Sequence, residues 1–353
     1  MSALAQDTTA NLSHTVSEEL SKFVLGLTHA QIPTAVRERA KHLILDSVGI
    51  ALASTKYPFA SVSFAALEQL GAGKSPVIGI GRRLALRDAV LMNGTLIHGL
   101  DFDDTHSRGV IHATASSFPC ALALADRDDR SGEALLAAYV AAMEVATRLG
   151  SVAKGGFHQV GFHPTGLVGA FGCTLAAARL LGLDEGRATR AQGIALSMAS
   201  GSLEFLEDGS WTKRMHPGWA GVVGITAATL AQHGFVGPRG AYDGRFGLYA
   251  SHLGSHFEQA DLGLATENLG AAGKSRRSQS SQFRPATSLT RPRTPPPFCT
   301  SNTAWRPKRS GACACACPRR WSRPSANRSQ TNAIRRTAMT PSSAFPTSSR
   351  PRS

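Results

Sequence analysis

His98-Gly-Leu-Asp101-Phe-Asp103-Asp104-Thr105-His106, followed six residues on by His112, sets three carboxylates and three imidazoles inside 15 residues. Arg87 to His98 leads into this stretch with apolar residues at helical spacing, and Ala113 to Ala125 continues after it in the same way. Two Ala/Leu-rich helices closing on one polar loop point to a mainly α fold with polar islands at helix ends. Unpaired buried charge is costly, so a packed core has no use for this much titratable chemistry. The stretch reads as half of an active site.

Working outward, helical spacing dominates. It predicts helices over Val16 to Leu27, Ala35 to Ala53 (after Pro33-Thr34), Phe59 to Leu70 and Ser131 to Leu149. It predicts more over Pro164 to Leu181, Glu185 to Ala199 and Gly218 to Gln232. Gly71 and Gly182 stop two of them, and Ser131 and Asp184 cap two others. Ser75-Pro-Val-Ile-Gly-Ile-Gly is β-branched and short, a small strand or an extended link. No repeat of 20–50 residues is present. The abundant Ala and Gly let helices approach closely, so the expected architecture is a bundle-like helical domain.

Two further polar islands interrupt the apolar scaffold. One is Gly156-Phe-His158-Gln-Val-Gly-Phe-His163-Pro-Thr165-Gly166. The other is Glu207-Asp208-Gly-Ser210-Trp211-Thr-Lys213-Arg214-Met-His216-Pro217-Gly218-Trp219. Both stand just before expected helices, where free N–H groups favour anions. If the three islands converge, acids, imidazoles and cations share a pocket. That set suits proton transfer next to a carboxylate, with cations holding an acidic substrate.

Each piece also has a plain structural reading. His98 alone is a surface or core histidine of its helix, and Asp103 or Asp104 is a helix cap. His158 is a loop residue, and Lys213-Arg214 is a solvated turn. His106 and His112 lack the spacing of a tight metal motif, and Asp-x-Asp-Asp lacks the glycine and closing Glu of a calcium loop. No metal site is expected. No Gly-x-Ser-x-Gly and no phosphate-cradling glycine loop after a strand is found, which leaves serine-hydrolase and nucleotide chemistry without a signal.

At these residues the chain resembles the MmgE/PrpD family, which includes 2-methylcitrate dehydratase and cis-aconitate decarboxylase. The resemblance covers residues 15–270 and rests on the first motif, on Gly161-Phe-His-Pro-Thr-Gly and on Trp211-Thr-Lys-Arg-Met-His-Pro-Gly-Trp-Ala. It implies a large all-helical domain joined to a smaller α/β domain, a homodimer, and chemistry without a metal or organic cofactor. Carried over position by position, it implies catalytic roles for Asp101, Thr105, His112, His163 and Lys213. The loop before His112 is about one residue longer than the family's. Asp104, His106, Arg214 and His216 are assigned to substrate binding beside them. The implied reaction is a lyase step on a di- or tricarboxylate, with 2-methylcitrate dehydration read first and cis-aconitate decarboxylation second. His112 or His163 would move the proton, and Asp101 would orient or relay. A non-catalytic helical interaction module is the remaining alternative, favoured if the islands lie far apart.

Composition divides the chain. The net charge of +14 comes from residues 271–353, which hold 17 Lys+Arg and no acid, 11 of the 18 prolines and four of the six cysteines. Residues 1–270 carry 21 basic against 24 acidic side chains. They show no signal peptide and no apolar stretch of membrane-spanning length, so a cytoplasmic protein is expected, with Cys120 and Cys173 as buried thiols. The family's second domain is not recognisable in the tail. A shifted reading frame accounts for this. Read from the third base of the Met339 codon, with suitable synonymous codons, residues 340–350 become Asp-Ala-Lys-Phe-Ser-Ile-Pro-Tyr-Leu-Val-Ala. The same offset turns residues 282–291 into Val-Pro-Ala-Cys-His-Phe-Thr-His-Ala and residues 271–275 into Arg-Trp-Glu-Ile. All three resemble the family. The frame is therefore expected to change near Gly270, leaving a disordered basic tail. Independent DNA reads across codons 265–275 without an insertion or deletion would remove a sequencing error as the cause. The competing reading, a basic arm for nucleic acid, is the weaker one. Polypeptide of this sequence is expected to have little or no dehydratase activity.

Overall fold

The computed structural model describes residues 14–269. The expected tail, its boundary and its frame lie outside the described residues. Within them the fold is mainly α. Helix α1 (Val16–Gly26) opens with a capping box, in which Glu18 N–H donates to the Thr15 hydroxyl and Thr15 N–H to the Glu18 carboxylate. Then come α2 (Thr34–Ser54), α3 (Pro58–Leu70), a two-stranded antiparallel hairpin β1 (Ser75–Val77) and β2 (Ile80–Leu84), and α4 (Leu86–His98). The hairpin takes up the stretch expected as a strand or link. Asn93 of α4 ties it down, accepting from Ile78 N–H at 2.8 Å and donating to the Pro76 carbonyl at 3.1 Å.

The second half holds α5 (Ala113–Arg127), α6 (Gly132–Val152), α7 (Gly156–Gln159), α8 (Pro164–Leu180) and α9 (Glu185–Leu196). After them come α10 (Phe205–Asp208), α11 (Thr212–Gln232), α12 (Leu248–His252) and α13 (Gly263–Thr266). Helix α8 is the axis. Every residue of it except Arg179 is buried, and α5, α6, α9 and α11 pack around it. An all-round apolar helix of this kind belongs in the middle of a bundle. Cys120 and Cys173 lie in this core as free thiols.

Two expectations change. Helix α11 starts at Thr212, six residues before the expected start at Gly218, and runs through Pro217. Pro217-Gly218 has the look of a helix opening, but a proline in the second turn removes only one hydrogen bond. Gly218 serves packing instead. A Cβ there would fall on the backbone of Leu91, and one at Gly94 would fall on Gly218. This glycine crossing lets α11 lie directly on α4. The first turn of α11 contains no acid, so Lys213 and Arg214 stand at a helix N-terminus that already favours negative charge. The second change concerns α6, which is long and apolar enough to cross a bilayer by length and composition. That window is 94% buried inside the fold, which accounts for its apolarity.

Candidate active site

The C-terminus of α4 and the N-termini of α5, α8 and α11 meet at one place. His98 ends α4, His112 precedes α5, His163 precedes α8, and Lys213 and His216 lie in the first turns of α11. Direct bonds hold the ends together. His112 N–H donates to the Thr165 hydroxyl at 3.1 Å, joining α5 to α8. His163 N–H donates to the Gly201 carbonyl at 2.8 Å. The Nδ1 atoms of His163 and His216 lie 3.1 Å apart, one donating to the other, which joins α8 to α11. Lys213 donates from Nζ to Asp101 Oδ1 at 2.6 Å, closing α11 onto the first motif. The three islands are therefore one site.

Its rim is charged and open. The Asp101 side chain is half exposed, on a backbone at φ +58°, a left-handed conformation that Asp tolerates better than most residues. Partial burial alone would raise its carboxyl. The Lys213 ammonium outweighs this and holds it below the usual carboxylate range. Arg214 donates from Nε to the Gly99 carbonyl at 3.0 Å and stacks its guanidinium over the Phe59 ring at 5.0 Å. Trp211 meets the same ring edge-on at 6.4 Å.

The floor is buried and carries imidazoles. The His98 ring centre lies 4.7 Å from that of His112 and 5.6 Å from that of His163, nearly parallel to the latter. His158 and Phe205 flank His163 at 6.5 and 5.9 Å. Asp103, fully buried, receives His98 Nδ1 at 2.9 Å and lies 3.5 Å from His112 Nδ1. The Thr105 hydroxyl is 3.4 Å from that same nitrogen. Burial pushes the imidazoles down, His98 to about 3 and His216 to about 4, and lowers His112, His158 and His163 as well. The Lys213 ammonium adds to the depression of all five. At neutral pH the imidazole form is therefore favoured over the imidazolium at these five rings.

Of the residues singled out in the sequence, Asp101, Thr105, His112, His163, Lys213 and His216 come together, with Arg214 at their edge. Asp104 and His106 do not face the opening. Asp104 is 2% exposed, and burial raises it to about 7 although Thr114 beside it pulls the other way. His106 is also 2% exposed. It accepts Gly109 N–H at Nδ1 and bridges to Ile111 through its backbone, which shapes the loop ahead of His112. The arrangement adds three groups to the expected set: His98, Asp103 and Thr165. The signal for the first two lay in the motif itself, since His98 and Asp103 bracket Asp101.

His98, Asp101, Asp103 and His112 each bring a donor atom within 4.8 Å of the others, the ligand types of a divalent-metal site. In this arrangement His98 Nδ1 is bonded to Asp103, and Asp101 is bonded to Lys213, whose ammonium already supplies a cation at that carboxylate.

Comparison with known proteins bears on the same residues. Residues 18–260 match the family model of the MmgE/PrpD N-terminal domain. The chain is 30% identical over 241 residues to the cis-aconitate decarboxylase-like protein oryM of Aspergillus oryzae, covering 66% of this chain and 50% of that protein. It is 30% identical over 254 residues to cis-aconitate decarboxylase of Aspergillus terreus, covering 69% and 51%. The human cis-aconitate decarboxylase matches at 30% over 236 residues, 65% and 48%. The chain spans about half the length of these curated relatives.

Proposed function

The chain belongs to the MmgE/PrpD family, and from that premise we propose that it carries one wall of a carboxy-lyase site for an unsaturated di- or tricarboxylate. The observation that carries this reading is the Lys213–Asp101 ion pair standing where three helix N-termini meet, with His112, His163 and His216 at those ends. Each of those elements favours a polyanion. The relatives' names favour decarboxylation of cis-aconitate over the dehydration of 2-methylcitrate read first from the motifs.

Decarboxylation of such a substrate breaks a carbon–carboxylate bond. The electron pair passes into the adjoining double bond and onto a conjugated carboxylate, and a proton then adds to carbon. The site must therefore hold carboxylates, stabilise spreading negative charge and deliver one proton. Lys213 is suited to the first two tasks, with Arg214 at the edge. His112 and His163 are the candidates for the third. Their imidazoles are held below the ordinary range in the free protein, chiefly because burial disfavours the imidazolium, with neighbouring imidazoles and Lys213 adding to it. A bound polyanion reverses the local field and draws protons onto them. Substrate binding itself would then load the acid that protonates the product. A homodimer, implied by the resemblance, belongs to the same proposal and is checked by light scattering.

The test offers cis-aconitate and 2-methylcitrate separately to the purified full chain and follows both by proton NMR. Binding of cis-aconitate is expected, weakened by salt and reduced roughly thirtyfold in Lys213→Met. No Lys213-dependent binding of either acid overturns the site. Conversion of 2-methylcitrate alone overturns the choice of reaction.

A further inference from the structure

Asp103 is a buried carboxylate that serves two imidazoles. His98 Nδ1 lies 2.9 and 3.1 Å from its two oxygens, and His112 Nδ1 lies 3.5 Å from Oδ1. A carboxylate only accepts, so a ring nitrogen facing it carries the hydrogen. His112 has a second carboxylate near its other nitrogen, with Nε2 3.8 Å from Asp101 Oδ1. The two sides are unequal. Asp101 is half exposed and paired with the Lys213 ammonium at 2.6 Å. Asp103 is fully buried, and both of its ion-pair contacts among the described residues are to these two imidazoles. A shorter distance to a desolvated, uncompensated charge outweighs a longer one to a solvated, compensated charge. The Thr105 hydroxyl, 3.4 Å from Nδ1, can accept on the same side.

We propose that Asp103 is a positioning residue that locks both His98 and His112 with hydrogen on Nδ1, so that each presents a bare Nε2 lone pair. For His112 this lone pair faces the Asp101–Lys213 rim, the side open to an incoming substrate. For His98 it is a second acceptor, buried and without a hydrogen-bond partner among the described residues. The His112 backbone is held by the bond of its N–H to Thr165, and its ring is flanked at Nδ1 by Asp103 and Thr105. This deepens the proposed function, because it specifies the state in which His112 waits for a proton.

The test needs no turnover. Long-range proton–nitrogen NMR on full chain carrying labelled histidine, treated with EDTA and free of substrate, reports which ring nitrogen bears hydrogen. His98→Gln and His112→Gln identify the signals. The expected spectrum at neutral pH shows both residues protonated at Nδ1 and bare at Nε2. In Asp103→Asn the amide can donate, and the hydrogen is expected to move to Nε2 on at least one of the two rings. Thr105→Val, which keeps the carboxylate, is expected to leave His112 as it was. A wild-type spectrum with hydrogen on His112 Nε2 overturns the proposal, whether or not the asparagine variant folds. So does a folded Asp103→Asn whose two rings are unchanged. Because substrate is absent, either failure leaves the proposed substrate class standing, and failure of cis-aconitate to bind leaves the ring states standing.

Discussion

Asp101 and Asp104 stand three residues apart in one loop and meet opposite surroundings. At the rim, Asp101 is half solvated and paired with Lys213, and its carboxyl is held below the ordinary range. At the floor, Asp104 is shut away from solvent beside Thr114, and burial lifts it to about 7, with Asp103 next to it at about 6. The same side chain is a permanent anion in one place and a titrating acid in the other. The difference teaches that the rim is arranged to receive charge from outside, while the floor is arranged to hold protons in definite places.

The strongest way to break this contrast is to titrate it. Asp104 has a folded pKa of about 7 against roughly 3.9 in an unfolded chain, so the folded state binds the proton more tightly. For a raised carboxyl, the stability contribution is full below the unfolded value and lost as pH rises through the folded one. Between about pH 4 and pH 7 the fold should lose on the order of 4 kcal/mol from this group. Asp104→Asn should flatten that slope in urea unfolding followed across pH. An unchanged slope would show that the carboxyl is not held as described.

Next in size is the joint between rim and floor. Gly218→Ala places a methyl against the Leu91 backbone, where α11 lies on α4. Overpacking of this kind should cost about 3 kcal/mol and pull Lys213 away from Asp101. Retained stability together with retained polycarboxylate binding would break the account of the crossing. A rim-only change should behave differently. Lys213→Met removes a charge-assisted partner, and the affinity for cis-aconitate in calorimetry should fall by about 2 kcal/mol, roughly thirtyfold. Its effect on folding stability should stay within about 1 kcal/mol, as for other exposed pairs. The smallest effect is expected at Val110, a β-branched residue at φ +53° in the turn that shapes the loop before His112. Val110→Gly should relieve backbone strain and raise the thermal midpoint by the equivalent of about 1 kcal/mol. A lower midpoint would mean that the loop depends on the valine side chain.

Much of this could be read from the chain. Helical spacing located α1 to α6, α8 and α9 within a few residues, because their apolar faces really do turn inward. The three polar islands marked the site, since each carries chemistry that an apolar scaffold has no use for. What escaped reading depends on third dimensions. Pro217-Gly218 looked like a helix start because its packing role exists only against Leu91 and Gly94. His98 looked ordinary because its value comes from Asp103 below it and from His112 and His163 on either side. Asp104 and His106 looked as available as Asp101, since burial is decided by how the loop folds back and not by residue type.

The opening of α11 has a final consequence. A helix start with Lys213 and Arg214 and no acid is electrostatically incomplete. A polyanion bound there would act as the missing cap, supplied from solution instead of from the chain. Ligand and helix then share one equilibrium, so ligand at a hundredfold over its dissociation constant should add about 2.7 kcal/mol to folding. The protein would be a thermometer for its own substrate, melting later wherever that acid is abundant.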